Sequence, residues 1–265
     1  MIDVSMVIVL GALGLIIGSF LNVVIYRLPR GESVVWPGSR CTSCGRALSW
    51  FENIPVVAWV LLGGRCRSCR TAISWQYPAV EAVTGALFVW GYFAFGLTPL
   101  LAVRLVFACA MVALFVIDFE HQILPNPITL GGLVFGLLCS LVLEPGWRSA
   151  LIAVAAGGLF PFVVAEVYFR VRGREGMGMG DFKMLAMVGA FLGWPMVWLT
   201  LILSCVLGIV IGGGILVASR RGMSTRLPFG TFIAVAAVVC AYLEGPALDV
   251  YERAIRAYLS WAGLA

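Results

Sequence analysis

Long apolar runs are the feature that most constrains this chain. A transmembrane helix needs about 20 mostly apolar residues, and apolar residues make up 62% of the sequence against 12% charged. A soluble domain could not cover that much apolar surface. The pattern predicts an all-α polytopic membrane protein with about eight transmembrane helices. Seven longer runs and one short run carry this prediction, at 4–26, 79–97, 99–118, 127–143, 149–169, 182–194, 195–218 and 228–243.

The distribution of basic residues fixes the expected orientation. With the N-terminus outside, most of the eighteen Lys and Arg residues fall on the cytoplasmic side, as the positive-inside rule requires. This layout needs the short run 182–194 to cross the membrane. The net charge of +5 therefore indicates membrane topology and not a nucleic-acid partner. The first run shows no signal-peptide cleavage pattern, and the tail 246–265 is amphipathic.

One polar segment separates the first two spans. We predict domains at 1–26 (first transmembrane helix), 27–78 (small cytoplasmic domain) and 79–265 (multi-helix membrane domain). Within the polar segment, the apolar run 54–62 is too short to span and is expected to pack against the membrane or the small domain's core. No internal repeat or low-complexity tract is apparent.

Two C-x-x-C pairs in this segment predict a metal site. Four thiolates at such spacing can bind one zinc ion tetrahedrally, which would make the metal structural. Gly45 follows the first pair, as the turn of such a knuckle often needs. Two disulfides or four free thiols are the alternatives, although a cytoplasmic location disfavours disulfides. The proposed ligands are Cys41, Cys44, Cys66 and Cys69.

Two aspartates lie at the ends of apolar runs, at the same expected depth. Charged groups in spans are costly, so Asp118 and Asp181 invite a functional interpretation. Two carboxylates brought together cannot both ionise easily, so one can act as acid and the other as base toward a water molecule. Gly178 and Gly180 would let a substrate backbone approach. Alternatively, both aspartates cap helices or pair with arginines.

The motifs, taken in order, resemble one family. Gly178-Met-Gly-Asp181 matches the GxGD signature of membrane aspartyl proteases, and the wider set resembles the bacterial type IV prepilin peptidases. The chain differs from that family's pattern at Asn126 and Thr231. The other matching motifs are Gly18-Ser-Phe-Leu-Asn-Val-Val-Ile-Tyr-Arg-Leu-Pro29, the two Cys pairs, the Asp118 segment and Leu227-Pro-Phe-Gly230.

The resemblance implies an enzyme of the bacterial cytoplasmic (inner) membrane. Its members cut the basic leader of prepilins and pseudopilins after a Gly at the cytoplasmic face. Many then N-methylate the new terminal residue, usually Phe, with S-adenosylmethionine. Besides these substrates the expected partner is the lipid bilayer, with no nucleic acid. The sequence leaves the oligomeric state and the choice between pilus and type II secretion substrates open.

Three further polar residues carry open alternatives. By resemblance, methyl transfer is associated with the region 18–81, where Glu81 either serves the transferase site or pairs with an arginine. Asn22 either belongs to the same methyltransferase region or, as we favour, forms a helix–helix hydrogen bond. Lys183 either tunes the aspartates or anchors to headgroups. Alternative functions are a peptidase without methyl transfer, a proton-coupled transporter using the two aspartates, and a membrane scaffold.

Overall fold

The computed structural model describes residues 3–173, 177–212, 214, 228–245, 253, 256, 258 and 260. Within those residues the regular structure is helical, apart from two isolated β-bridges. Ten α-helices are numbered here in chain order: α1 Val4–Arg27, α2 Val57–Leu61, α3 Gln76–Phe95, α4 Pro99–His121, α5 Asn126–Cys139, α6 Trp147–Val154, α7 Phe160–Arg172, α8 Met179–Leu192, α9 Met196–Leu207 and α10 Phe229–Tyr242.

The helices confirm the predicted all-α membrane architecture. Among the described residues, four segments are long and apolar enough to cross a bilayer: Val4–Arg30, Gln76–Phe95, Pro99–His121 and Trp147–Arg172. Three shorter apolar helices are Asn126–Cys139, Met196–Gly212 and Phe229–Tyr242. The predicted short run 182–194 forms α8. The end of the predicted span 195–218, Leu227 and most of the tail 246–265 lie outside the described residues.

The chain forms two compact units, Met1–Ile128 and Thr129–Ala265. In the first unit α1 packs closely on α3, because Gly14 and Gly18 present no side chains there. A Cβ on Gly14 would lie 2.8 Å from the Gly85 Cα, and one on Gly18 would lie 2.7 Å from the Glu81 Cα. This spacing of small residues is typical of closely packed transmembrane helices.

The small domain between α1 and α3 begins with a buried arginine. The Arg27 guanidinium donates to the carbonyls of Ser33 (3.0 Å) and Gly38 (3.1 Å), so the chain leaving α1 is held against the end of that helix. The apolar run 54–62 contains α2, where Ala58 is buried but Val60 and Leu61 are exposed. Only part of this run therefore packs into the small domain's core.

Helix α8 forms the buried centre of the second unit. Nearly all of its residues from Asp181 to Leu192 are buried. Glycines bring its neighbours close: a Cβ on Gly189 would lie 2.5 Å from the Ala153 carbonyl oxygen, and one on Gly157 would lie 2.7 Å from the Leu185 carbonyl oxygen. Gly157 belongs to a π-helical turn, Ala155–Leu159, that joins α6 to α7. Helices α9 and α10 also contact α8.

Candidate active site and metal centre

The four predicted cysteine ligands converge on one point. Their sulfur atoms all lie within 4.8 Å of one another, and the Sγ atoms of Cys41 and Cys69 are 3.8 Å apart. A tetrahedron with metal–sulfur bonds of about 2.3 Å has edges of about 3.8 Å. None of the four cysteines forms a disulfide in the structure, which favours the metal site over the disulfide alternative. The cluster can hold a metal ion, and the segment 27–78 that carries it is termed the four-cysteine domain.

The two cysteine pairs sit in matching turns that repeat in both sequence and backbone. Residues 40–50 read RCTSCGRALSW and residues 65–75 read RCRSCRTAISW. In the first turn Gly45 N–H donates to the Cys41 carbonyl, and in the second Arg70 N–H donates to the Cys66 carbonyl. An antiparallel bridge closes each turn, Arg40 to Ala47 and Arg65 to Ala72. The expectation of no internal repeat is therefore wrong.

The matching turns need a left-handed residue after the second cysteine. Gly45 adopts φ 71° there, which confirms its predicted role, whereas Arg70 adopts φ 59° at the equivalent position. A left-handed conformation costs a residue with a Cβ about 1–2 kcal/mol. The second turn is therefore the more strained of the two.

Local hydrogen bonds favour the thiolate at the second pair. The Thr71 hydroxyl, 3.3 Å from the Cys69 Sγ, and the Thr71 backbone N–H lower the pKa of Cys69 to about 6. The backbone N–H groups of Cys69 and Ser68 lower the pKa of Cys66. Because a metal binds the thiolate form, these contacts prepare this pair for ligation.

An ion pair braces the first turn. The Arg46 guanidinium contacts the Glu52 carboxylate, which also accepts from the Ser49 N–H at 2.8 Å. The Arg46 guanidinium, followed by the Ser49 N–H, lowers the pKa of the Glu52 carboxyl. This contact ties the first cysteine turn to the short 3₁₀-helix Trp50–Asn53 that follows it.

Asp118 lies in the last turn of α4 and is only 5% exposed. The helix ends at Gln122, which is left-handed and donates its N–H to the Asp118 carbonyl at 2.9 Å. Glu120 and His121 follow on the exposed side, 3.9 Å apart. The predicted position of this carboxylate at a helix end is therefore observed, in the first compact unit.

Asp181 lies in the first turn of α8 and is 9% exposed. Its carboxylate accepts a hydrogen bond from the Gly178 N–H at 3.2 Å, so the capping role left open by the sequence is present. Gly178 is ordinary extended backbone (φ −73°), but a Cβ there would lie 3.3 Å from the Asp181 Oδ2. Gly180 and the half-buried Lys183 occupy the same turn of α8.

The two aspartates belong to different compact units, Asp118 to the first and Asp181 to the second. The pairing of their carboxylates stays a prediction.

A groove of about 290 Å³ adjoins the start of α8. Two of its wall residues, Phe162 of α7 and Phe182 of α8, meet edge to face at 5.7 Å. Glu166 is the acidic residue among the described wall residues, and it pairs with Arg170 at 2.9 Å. The groove was not predicted from the sequence, because it depends on how α7 packs beside α8. Its lining residues are Phe162, Ala165, Glu166, Phe169, Met177, Met179 and Phe182.

Glu81 and Asn22 lie together where α1 meets α3. Asn22 donates to the Tyr77 carbonyl of α3 at 3.1 Å, which confirms the predicted helix–helix hydrogen bond. The Glu81 carboxylate is 7% exposed and accepts from the Val56 backbone N–H at 2.7 Å. Its partners are thus the Val56 backbone amide of the four-cysteine domain and the Ser19 side chain of α1, and not the arginine that the sequence suggested as one alternative.

Two protein families match successive parts of the chain. Residues 12–95 match the bacterial peptidase A24 N-terminal domain, and residues 105–213 match the type IV leader peptidase family. The first match contains the four cysteines and Glu81, and the second contains both aspartates. No solved structure matches the chain significantly.

Several curated relatives are similar over most of the chain. A prepilin leader peptidase/N-methyltransferase of Myxococcus xanthus is 41% identical over 79% of this chain, and the aligned part spans 63% of that relative's length. A protein of the same name from Pseudomonas aeruginosa is 34% identical over 95% of this chain and 92% of its own length. One from Stutzerimonas stutzeri is 35% identical over 95% of this chain and 93% of its own length.

Proposed function

The chain belongs to the type IV leader peptidase family, and on that premise we propose that it is an aspartyl endopeptidase of the bacterial inner membrane. It removes the leader from prepilin or pseudopilin substrates and then methylates the new N-terminus. The observation that carries the proposal is the pair of buried carboxylates, Asp118 at the end of α4 and Asp181 at the start of α8.

The proposed cleavage uses the two carboxylates as acid and base. The ionised aspartate takes a proton from water, and the water oxygen bonds to the carbonyl carbon of the scissile peptide. The protonated aspartate donates a hydrogen bond to the developing oxyanion. The C–N bond then breaks, and the leaving nitrogen takes the proton that the first aspartate removed from water. The Gly178 N–H on Asp181 holds that carboxylate in one orientation. The absence of a side chain at Gly178 leaves room beside it.

The apolar groove beside Asp181 suits the substrate residue that follows the cut. Met179 and Phe182 flank Asp181 in the sequence and line the groove, so an aromatic side chain seated there would lie near the carboxylate. Aromatic pairs prefer edge-to-face contacts of the kind already made by Phe162 and Phe182. The groove would thus bind the usual Phe of the mature N-terminus.

The second activity would transfer a methyl group from S-adenosylmethionine to the amine released by cleavage. The α-amine nitrogen displaces the methyl group from the sulfonium, leaving S-adenosylhomocysteine and, after loss of a proton, the N-methylated product. We assign this step to the N-terminal family segment, 12–95, which contains the four-cysteine domain, Asn22 and Glu81. This second step is supported by the relatives, which are named as both leader peptidases and N-methyltransferases.

We propose zinc as the metal of the four-cysteine cluster, since four thiolates with these separations fit its tetrahedral preference. A closed set of four sulfur ligands leaves no position for a substrate, so zinc would stabilise the four-cysteine domain. We also retain the domain division 1–26, 27–78 and 79–265. The N-terminus is placed outside, so that the four-cysteine domain and both aspartates face the cytoplasm.

The decisive experiment uses the full chain in lipid nanodiscs with a prepilin substrate and labelled S-adenosylmethionine. Cleavage and label transfer are followed separately for the wild type, Asp118→Asn and Asp181→Asn. Glu120→Gln and Glu144→Gln are matched controls that each remove one exposed carboxylate from the same unit. Loss of a catalytic acid or base should lower cleavage by about 10²–10⁴-fold, whereas the controls should cleave normally.

The results for the wild type and the variants distinguish the alternative functions. Cleavage that survives in both Asp variants would reject the aspartyl mechanism, and a wild type that does not cleave would return the transporter and scaffold interpretations. Cleavage without any label transfer by the wild type would identify a peptidase that lacks methyl transfer. For the metal, Cys41→Ser should reduce bound zinc measured by elemental analysis. A variant with full zinc content would reject the ligand assignment.

A further inference from the structure

The turn before α2 has a conformation that its own sequence disfavours. Val56 adopts φ 61° and ψ −51°, and the Val57 N–H donates to the Pro55 carbonyl at 2.5 Å. This is a γ-turn of the rare, strained kind. A β-branched residue at positive φ is a clear outlier that persists only where the surroundings enforce it.

A single buried carboxylate reaches this turn from a membrane helix. Glu81 of α3 accepts the Val56 N–H at 2.7 Å. Glu81 is itself fixed by α1, because Gly18 brings the α1 backbone against the Glu81 Cα. The Asn22 hydrogen bond to the Tyr77 carbonyl holds the start of α3 on the same face. The carboxylate is therefore a rigid support for a strained loop.

The turn connects the two halves of the four-cysteine domain. It lies between the first cysteine turn, which ends in the 3₁₀-helix Trp50–Asn53, and α2, which leads to the second cysteine turn. Within α2, the Trp59 indole donates to the Ile73 carbonyl at 3.1 Å, so α2 is tied to the second turn. A change at Val56 would shift the four-cysteine domain relative to α1 and α3.

We propose that Glu81 is a positioning residue for methyl transfer. Its carboxylate holds the Val56 turn and thereby fixes the four-cysteine domain against α1 and α3, and peptide cleavage does not depend on this contact. The inference rests on the second activity proposed above. Its support is that Glu81, Val56 and the cysteines all lie within the N-terminal family segment, 12–95, whereas both aspartates lie within 105–213.

The turn offers a suppressor test that separates positioning from chemistry. Glycine adopts positive φ without steric cost, so Val56→Gly should relieve the need for Glu81. The proteins are the wild type, Glu81→Gln, Glu81→Ala, and Glu81→Ala combined with Val56→Gly. The matched control combines Glu81→Ala with Val57→Gly, which removes the same side chain one residue later, in the ordinary helix α2.

Two readouts are taken on the full chain in nanodiscs. The first is label transfer from S-adenosylmethionine to an already cleaved substrate, beside cleavage of the intact substrate. The second is hydrogen–deuterium exchange of the backbone amides of residues 56–61, which requires no activity. Glu81→Ala should lower methyl transfer about tenfold or more and speed this exchange by a similar factor, as expected for one lost hydrogen bond to a carboxylate. Cleavage should stay within about twofold, well below that hydrogen-bond effect.

Rescue decides the role of Glu81. Glu81→Gln keeps an acceptor oxygen and should behave as the wild type, and Val56→Gly should restore both readouts in the Glu81→Ala protein. The proposal fails if Val56→Gly does not rescue, if Val57→Gly rescues equally, or if cleavage falls together with methyl transfer. If the wild type transfers no methyl group, the proposed second activity is wrong. The exchange rates then still support or reject the hold of Glu81 on the turn.

Discussion

The contact between Gly189 of α8 and α6 should tolerate no added methyl group. A Cβ built on Gly189 lies 2.5 Å from the Ala153 carbonyl oxygen, 2.6 Å from its carbonyl carbon and 2.9 Å from the Val154 nitrogen. All three atoms belong to the backbone of α6, so no side chain can rotate away. Gly189→Ala must therefore move one helix against the other. Gly131 of α5 is a helical glycine with nothing within 4 Å of its Cβ position.

Comparison of the two variants isolates the steric cost. Replacing a helical glycine by alanine normally stabilises by about 0.5–1 kcal/mol, and this gain applies to both variants. Overpacking costs about 1–3 kcal/mol, with the upper end expected where only backbone can yield. We expect Gly131→Ala to be neutral or stabilising. Gly189→Ala should be less stable than Gly131→Ala by about 2–3 kcal/mol.

Thermal unfolding of the purified proteins in the same lipid, followed by tryptophan fluorescence, measures this difference. Cleavage should fall in parallel for Gly189→Ala alone, because α8 positions Asp181 and a displacement of about 1 Å can cost about 10²-fold in rate. If Gly189→Ala unfolds at the same temperature as Gly131→Ala and cleaves as well, the close packing of α6 on α8 is wrong.

Three further predictions concern the four-cysteine domain and the groove. Arg70→Gly should slow the release of zinc to a chelator, because glycine removes about 1 kcal/mol of left-handed strain. Gly45→Arg, at the equivalent position of the first turn, should speed that release. Equal release rates for the two variants would contradict the structural equivalence of the turns. Glu52→Gln should release zinc faster than the wild type at neutral pH. Because the pKa of Glu52 is lowered in the fold, this stabilisation is complete above its unfolded value and is lost as the pH falls through the folded value. The two release curves should therefore converge in acid, and a constant gap would contradict the ion pair with Arg46. Phe162→Ala should raise the KM for a substrate with Phe after the cut more than for one with Ala there, and an equal change would remove the groove from the binding site.

The helices were largely predictable from the sequence, because hydropathy alone identifies segments that lipid must surround. The short run 182–194 was expected to cross for reasons of charge. This run forms helix α8. Because α8 is surrounded by other helices of its unit, it need not be as long as the bilayer is thick. The cysteine cluster followed from ligand spacing, which is a local property. Asp118 and Asp181 were expected at helix ends, and both are found there.

The features that the sequence did not predict depend on contacts between distant residues. The local sequence Pro55-Val56-Val57 does not indicate a positive φ at Val56. Val56 adopts it where its N–H donates to Glu81, which lies 25 positions later in the chain. The π-turn Ala155–Leu159 likewise forms where Gly157 meets α8. The repeat of the two cysteine turns is visible in the sequence, but the unit occurs only twice, whereas repeat proteins need at least about three copies. The matching backbone hydrogen bonds make it evident.

The burial of α8 has a consequence for how the protein is made. Its 14 residues measure about 21 Å along the helix axis, less than the hydrocarbon core of about 30 Å. A helix this short is poorly suited to span the bilayer alone during translation. Helix α6 and the π-helical turn precede α8 in the chain, but the contacts of α8 are complete only when α9 and α10 have also been synthesised and inserted. A nascent chain that stops before Phe229 would lack part of the support for Asp181. Proteolytic competence would thus require synthesis and insertion of the chain through α10.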